Sequence, residues 1–525
     1  MQAFAALLDG LAFTPARNAK LRLIGDYLAT TPDPARGYAL AALTGELDLP
    51  GLKPAAIRAL ASERVDPTLF LMSYDYVGDL AETVALIWPL AEARRPPPSL
   101  AEVVEALEGA SRAEATALLA AWLDDLDADG RWALLKLLTG GLRVGVSARL
   151  AKTALAAAFG QPVAEIEEIW HGLTPPYAPL FAWLTGAGPR PDAGAGAGFR
   201  PVMLANPLDE AQLATLDPAD FRAEWKWDGV RVQAVSRGGE RRLYTRTGDD
   251  ISQSFPDVVA ALDFEGVIDG ELLVAAADGT GPAPFAALQQ RLGRKRPSVK
   301  LIAAAPGFIQ VYDLLFDGAA DLRGEPFDRR RQALERFLRA ASPKLALSPL
   351  TPFARWDDLR ALRAGARAAG IEGLILKRRD APYLAGRPQG PWFKWKRDPL
   401  TLDFVVMYAQ RGHGRRSSFY SDFTFGAWTA EGTLAPVGKA YSGYTDTELV
   451  ELDKFVRAHA TERFGPVRAV APGLVFEVAF DAAQRSSRHK SGVALRFPRI
   501  KRIRWDKPAG EADTVAAVLA LIETE

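Results

Sequence analysis

The chain has 525 residues, too many for one typical core, so roughly three domains are expected. Hydrophobic residues make up 48% and charged residues 24%, the balance of a soluble globular protein. Cysteine is absent, which excludes disulfides, thiolate nucleophiles and cysteine-ligated zinc or iron–sulfur centres. Four histidines are too few for a histidine-rich metal site. The start, Met1-Gln-Ala-Phe, lacks a basic leader and no apolar run is long enough to span a membrane, so a cytoplasmic protein with no membrane contact is expected. Abundant Ala, Arg, Gly and Pro fit a GC-rich bacterial genome. Net charge is zero, yet residues 1–182 carry 15 Lys and Arg against 22 Asp and Glu, leaving this part net −7 and the remainder net +7.

From 1 to about 182 apolar residues recur at three-four spacing, as in Leu100–Glu108 and Ala113–Leu126, with turns at Thr31-Pro-Asp-Pro and Arg94-Arg-Pro-Pro-Pro. The pattern predicts an all-α domain over 1–182. Its distinctive piece is Leu137-Leu-Thr-Gly-Gly-Leu-Arg-Val-Gly-Val-Ser147, followed by a helix from Ala148 to Phe159. Ser147 is a natural N-cap there, and the amides around Gly145 at a helix start suit a phosphate, although a capped turn between core helices reads equally well. Gly186–Gly198 is a low-complexity run that marks a linker over 183–199.

Beyond the linker, strand-like runs at Ala223–Val235, Gly266–Val274, Gly307–Leu315, Gly373–Lys377 and Trp392–Lys396 alternate with helices at Arg329–Ala340 and Trp356–Ala369. This predicts an α+β domain over 200–398. Residues 399–525 are expected to form a third domain. Strands at Asp403–Ala409, Phe419–Trp428 and Leu434–Tyr441, a helix over Thr445–Ala460, and strands near Leu474–Phe480 and Arg499–Trp505 fit a small barrel of the oligonucleotide-binding (OB) type.

Within the α+β domain, Glu224-Trp-Lys226-Trp-Asp-Gly-Val-Arg231 reads as two short strands around an Asp-Gly turn, with Lys226 between two indoles. Near neutral pH an ordinary lysine is an unreactive ammonium. Walls made by Trp225 and Trp227 and a cation at Arg231 would favour the neutral, nucleophilic amine. Downstream come Tyr244-Thr-Arg246, Asp269-Gly-Glu271, Tyr312-Asp313, Glu372-Gly to Lys377, and Lys394-x-Lys396. Cations such as Arg246, Lys394 and Lys396 suit charge developing on a phosphate. Glu271 and Glu372 are hard ligands for Mg²⁺ or acceptors for ribose hydroxyls, Tyr312 could stack on a purine, and Glu224 could accept from an exocyclic amine. Taken singly, each reads as a surface charge or a core aromatic; their order carries the weight.

In that order the residues resemble the ATP-dependent DNA ligases, the three-domain type of archaea, eukaryotes and some bacteria, within the covalent nucleotidyltransferases. Leu495 to Lys507, ending in Arg504-Trp-Asp506-Lys507, looks like the family's last motif. The resemblance implies a multidomain protein: a helical DNA-binding domain, an adenylation domain and a C-terminal OB-fold barrel. It implies that Lys226 attacks the α-phosphorus of ATP and carries AMP, which passes to the 5′-phosphate of a nick before the 3′-hydroxyl attacks. Glu224, Arg231, Arg246, Glu271, Tyr312, Lys377, Arg387, Lys394 and Lys396 would hold the nucleotide, and Glu271 and Glu372 would hold Mg²⁺ or Mn²⁺. Arg504, Asp506 and Lys507 would orient pyrophosphate during self-adenylylation, with a hinge at Arg397-Asp-Pro399.

The implied partner is nicked duplex DNA, for which Arg17, Lys20, Arg143, Arg149 and Lys152 are candidate contacts that read equally as surface charges, and the implied setting is a monomer at the bacterial nucleoid serving repair, replication or recombination. The acidic balance of 1–182 sits uneasily with a strong grip on phosphates. RNA ligases and capping guanylyltransferases share the lysyl-nucleotide chemistry, but the helical domain and the Arg-x-Asp-Lys ending argue against them. Absent cysteine argues against an NAD-dependent ligase. A nick-binding clamp without turnover would not need the full set of cations and carboxylates.

Overall fold

Several helices of the helical region begin where a side chain can satisfy their first free amides. Ser99 with Glu102 and Ser111 with Glu114 form capping boxes that start Leu100–Leu107 and Arg112–Asp125, and Ser147 accepts from the Leu150 amide at the head of Ala148–Ala158. Helix Arg17–Thr30 crosses Ala148–Ala158 closely, because Gly25 leaves room for the Ala158 methyl group. The structure is a computed structural model and describes residues 1–49, 52–89, 95–191, 197–276, 279, 281–294, 296–366, 371–412, 418–487 and 489–523. Contacts divide these into two compact units. One comprises Met1–Val163, Thr174–Pro189 and the chain from Pro399 on; the other comprises Ala164–Leu173 and Arg190–Asp398. No helix among the described residues is long and apolar enough to cross a membrane.

The second unit is built on two sheets. One runs in the order β1 (Asn206–Pro207), β11 (Trp392–Lys396), β10 (Ile371–Arg378), β2 (Phe221–Trp227) and β9 (Leu350–Thr351). The other runs β4 (Glu240–Thr245), β3 (Val230–Arg237), β5 (Gly266–Val274), β6 (Gly307–Asp317) and β7 (Ala320–Asp321), with β8 (Leu345–Leu347) alongside β6. The Asp228-Gly229 turn is therefore not a hairpin turn. β2 pairs with β10 and β9, while β3 pairs with β4 and β5, so the turn carries the chain from one sheet to the other. Glycine is required at 229 by close approach, since a Cβ there would lie 2.4 Å from the Leu272 carbonyl oxygen.

The first sheet is irregular at one point, a bulge in β10. Register slips between Ile371, opposite Trp227, and Gly373, opposite Lys226, which leaves Glu372 without a partner across the ladder. Gly373 has φ +144, and a Cβ on it would sit 2.4 Å from the Trp395 carbonyl oxygen. The helix expected over Trp356–Ala369 ends at Gly365, and its last expected residues 367–369 lie outside the described residues. The Gly/Ala/Pro run is described only at its ends, with 192–196 outside the described residues. Ala197 and Phe199 at its far end are buried rather than loose.

In the first unit, the chain after Pro399 makes a strongly bent sheet. The long β12 (Leu400–Arg411) pairs with β13 (Tyr420–Trp428), which pairs with β14 (Leu434–Ala440). β15 (Ala460–Phe464) and β16 (Val467–Val470) form a pair that the sequence did not announce, and β17 (Val475–Phe480) joins β12 to β20 (Arg499–Arg504). A separate hairpin, β18 (Ala482–Arg485) with β19 (Val493–Arg496), was also unforeseen. Phe404, Phe423, Phe425, Phe476 and Phe480 fill the interior. The helix Asp446–His459 packs over it, begun by a Thr445–Glu448 capping box.

We expect Gly373→Ala to destabilise the second unit by about 1–3 kcal/mol, because the methyl group meets backbone and the backbone conformation is strained for any L side chain. A melting curve in which the variant unfolds with the parent would refute the close approach at the bulge.

Candidate active site

Strand alternation assembles one wall of the site. Residues two apart on a strand face the same way, and directly paired residues share a face. Glu224 lies opposite Ile375, which lies opposite Lys394; Lys226 lies opposite Gly373, which lies opposite Lys396; Lys377 lies opposite Trp392. All of these therefore stand on one face of the first sheet. The intervening residues Ala223, Leu374, Leu376, Phe393 and Trp395 form an apolar core on the other face. Trp225 packs against that core, and the Trp227 indole N–H donates to Ser348 Oγ at 3.0 Å. Strand alternation points these two indoles away from the Lys226 face, although Trp225 and Trp227 both still border the cavity that Lys226 enters.

The β10 bulge turns Glu372 toward Lys226. By parity with Gly373 and Ile375, a regular strand would have sent it to the opposite face. With the bulge, its Oε2 lies 2.6 Å from Lys226 Nζ and 3.3 Å from Lys396 Nζ. Burial opposes the charged form of this carboxyl, but the two lysines outweigh burial and hold it down at about 2.

The second sheet supplies the opposite wall. Arg231 on β3 is paired with Glu271 on β5, while Tyr312 comes from β6 and Arg246 from the turn after β4. Together with Arg387 they border a cavity of about 470 Å³ that also receives Glu224, Lys226, Glu372, Lys377, Lys394 and Lys396. Every residue that the sequence assigned to the nucleotide in this domain lines the same cavity. Burial pushes the Glu271 carboxyl up to about 8 despite Lys226 and Arg231 nearby, so at neutral pH it is largely protonated. The Lys394 amine is held below its ordinary value, first by burial and then by Arg387, Lys226, Lys396 and Arg246. That crowding of cations is the electrostatic signature of a site built for a polyanion.

Two of the expected nucleotide contacts are engaged elsewhere. Arg231 donates from Nε and Nη2 to the two oxygens of Asp269 at 3.0 and 2.5 Å, from Nη1 to the Met203 carbonyl, and from Nη2 to the Tyr383 hydroxyl. Lys377 is 1% exposed, with its ammonium 3.0 Å from Glu224 Oε1, donating to the Tyr312 carbonyl at 3.1 Å and lying over the rings of Tyr312, Phe327 and Trp392. Burial drives the Glu224 carboxyl up and the Lys377 amine down, each partly offset by the other. Lys377 is thereby held beside Glu224 while still bordering the cavity.

Asp269 belongs to the Asp269-Gly-Glu271 motif but was given no role of its own, and Tyr383 lies outside every motif. Both are buried; the Tyr383 hydroxyl donates to Asp269 Oδ2 at 2.6 Å, and the Tyr312 hydroxyl reaches Oδ1 at 3.4 Å. Nothing in the sequence pairs Tyr383 with Asp269.

The remaining expected site residues lie in the other unit. Arg504 and Lys507 share Asp403, an unforeseen carboxylate on β12, at 3.2 and 2.8 Å, and Arg504 is further held by Asp506 at 2.9 Å. In the helical region, Arg17, Arg143 and Arg149 are exposed and Lys152 half-buried. Lys20 is corrected: it is buried, and its ammonium donates to the carbonyls of Val144 and Gly145, so it braces the loop before Ser147 from within and has no free surface for DNA. Among the described residues no group of three or more His, Asp or Glu forms a metal cage.

Comparison with known proteins respects the same division. The ATP dependent DNA ligase domain matches residues 202–396, and the ATP dependent DNA ligase C terminal region matches residues 416–507. A "Probable DNA ligase" of Anaeromyxobacter sp. (strain Fw109-5) is 36% identical, covering 98% of this chain and 96% of its own length. "DNA ligase 1" of Korarchaeum cryptofilum (strain OPF8) is 32% identical, covering 100% and 98%. Among solved structures, "Pmar-Lig_Pre." shares the fold with a TM-score of 0.63 at 16% identity, covering 96% of this chain and 99% of its own.

The raised Glu271 carboxyl sets a pH dependence. Folding takes up a proton between the ordinary value of 4.5 and about 8, so this group's contribution to stability is lost as pH rises through that window and is constant above it. Glu271→Gln removes the contribution. The melting temperature of the variant relative to the parent should climb from pH 5 to pH 8 and then level off. A difference that does not change with pH would contradict the buried, protonated carboxyl.

Proposed function

From the premise that this chain belongs to the ATP-dependent DNA ligases, enzymes that use ATP to seal nicks in DNA, we propose that Lys226 is the residue that carries AMP. The observation that carries this reading is the convergence of Lys226, Lys394, Lys396, Arg246 and Arg387 on one cavity. Lys226 is the member of this set on the same face of β2 as the buried Glu224, where it reaches across to Glu372. Its amine lone pair would form the N–P bond to the α-phosphorus, the P–O bond to pyrophosphate would break, and the ammonium proton now held against Glu372 must leave first. Arg246, Arg387, Lys394 and Lys396 would neutralise the charge that builds on phosphate oxygens.

At the other end of the cavity, Glu224 and the Tyr312 ring would receive the adenine. Lys377 would act there by fixing Glu224, and Arg231 by clamping Asp269, rather than by touching phosphate. A divalent cation, Mg²⁺ or Mn²⁺, fits the ionised Glu372 and the adjacent Glu271. One or two carboxylates are what Mg²⁺ commonly takes from a protein when phosphates and water complete its shell; Glu372 would offer one as it stands, Glu271 would have to give up its proton to offer the second, and the ion would supply positive charge to phosphate oxygens. AMP would then pass from Lys226 to the 5′-phosphate of a nick, and attack by the 3′-hydroxyl would seal the strand and release AMP, both being phosphoryl displacements governed by positioning.

Lys226→Ala should fold as the parent does and yield no AMP-labelled protein from α-³²P-ATP; retained labelling would remove Lys226 from its role. Lys507→Ala should slow self-adenylylation at least about tenfold while sparing the sealing of a pre-adenylylated nick. Equal losses in the two assays would show that Lys507 does not serve the pyrophosphate-releasing step alone.

A further inference from the structure

The segment Ala164–Leu173 precedes the Gly/Ala/Pro run, yet it belongs to the compact unit that holds the nucleotide cavity. Glu168 ties it there, with oxygens 3.3 Å from Arg200 Nε and 3.1 Å from Arg323 Nη1, and Glu165 pairs with Arg190 at 2.7 Å. Arg200, Arg237 and Arg323 each lie over the Phe316 ring, so the anchor joins charge to packing. Three residues past Glu168, His171 stands against the Phe199 and Tyr244 rings, with centroids 5.0 and 5.8 Å away, and these two rings also meet each other.

His171 also abuts the turn that carries Arg246. A Cβ on Gly248 would lie 2.5 Å from His171 Cε1 and 3.3 Å from Phe199 Cδ1, and Gly248 has φ +90. The turn fixes its own shape: the Thr245 amide donates to the Asp249 carbonyl, the Gly248 amide to the Thr245 carbonyl, and the Thr245 and Thr247 hydroxyls to the Asp249 carboxylate. Those bonds are internal; the turn is tied at its base by the Tyr244–Asp250 bridge and the Ile251 amide to the Leu243 carbonyl, and its tip rests on what lies beneath it. Beneath it lie His171, Phe199 and Tyr244, the last anchored by its hydroxyl donating to the Ala197 carbonyl at 2.8 Å. The far side of the same turn, Thr245, Arg246 and Thr247, borders the cavity.

We propose that His171 is a positioning residue for the nucleotide step: its ring seats the Thr245–Asp249 turn and so sets where Arg246 stands in the cavity. The inference rests on the reading of Arg246 as a phosphate contact. It makes a segment before the linker part of the ATP site, which neither the helical pattern nor the motif residues announce.

The test measures self-adenylylation of the full chain against ATP concentration for His171→Ala, His171→Phe, Arg246→Ala and the double variant His171→Ala/Arg246→Ala. His171 is exposed, so its removal leaves no buried cavity. His171→Ala should raise the KM for ATP about three- to tenfold with kcat changed less than about twofold, and His171→Phe, which keeps a ring against Gly248, should recover most of the affinity. In the Arg246→Ala background, His171→Ala should add nothing, since both act through one side chain. Unchanged KM in His171→Ala, or losses that multiply in the double variant, would overturn the proposal. Unchanged KM in Arg246→Ala would instead overturn the reading of Arg246. Should His171→Ala lower the melting temperature, the comparison of His171→Phe with the parent decides, because a ring that fails to restore KM refutes seating by packing.

Discussion

The cavity depends on one irregularity, the extra residue in β10 that sets Glu372 against Lys226. Strand alternation alone would send Glu372 to the apolar face with Leu374 and Leu376, where an ionised carboxyl has no partner. The bulge reverses its direction and leaves its neighbours in register, so Gly373 still faces both Lys226 and Lys396. A carboxylate thereby enters a cluster of cations, and the cluster becomes tolerable without a ligand. The glycine after it is the structural condition, because the bulge brings the Trp395 carbonyl where a side chain would stand.

With Glu372 in place the balance is still one-sided. Lys394 is disfavoured as an ammonium by burial and by four neighbouring cations, while Glu271, the other carboxyl facing the cavity, stays largely protonated and contributes little negative charge. The site is therefore rich in cations, and on the reading proposed above a triphosphate would relieve their mutual repulsion. The opposite end of the cavity is closed differently. Asp269 and Glu224 are each matched to a single cation, Arg231 and Lys377, within aromatic surroundings. One end is short of anions and the other is neutralised, which is the polarity of a nucleotide with its phosphates at one end and its base at the other.

Much of this was legible in sequence because it derives from period-two patterns. The ranges of β5 and β11 could be read off directly, and the parity of Lys394 and Lys396 put both on one face. The same parity, applied to Trp225 and Lys226, points the indole to the other face of the strand, even though both residues border the cavity. Other features have no local signature. A bulge depends on the partner strand, the burial of Lys20 depends on the Val144 and Gly145 carbonyls more than a hundred residues away, and the Asp403 pairing with Arg504 and Lys507 spans the whole C-terminal domain. The four-residue strands β16, β18 and β19 escaped notice because they are too brief to establish a period, and β15, as long as β11, because all five of its residues are exposed and show no apolar alternation.

Domain boundaries drawn from composition mark where the chain lacks a core, which differs from where a rigid unit ends. The Gly/Ala/Pro run separates helices from strands in sequence, yet the segment before it, Ala164–Leu173, is fastened by Glu168 to Arg200 and Arg323 beyond it. The residues between that segment and the run, Thr174–Pro189, belong to the other unit, so the chain changes unit more than once before the strands begin. A segment held by two ion pairs and a three-ring cluster has given up its freedom whether or not ligand is present, so it can hold a cavity-lining turn in place at no further entropic cost when the nucleotide arrives. The motif residues supply the charges of the site, and residues outside every motif decide where those charges stand.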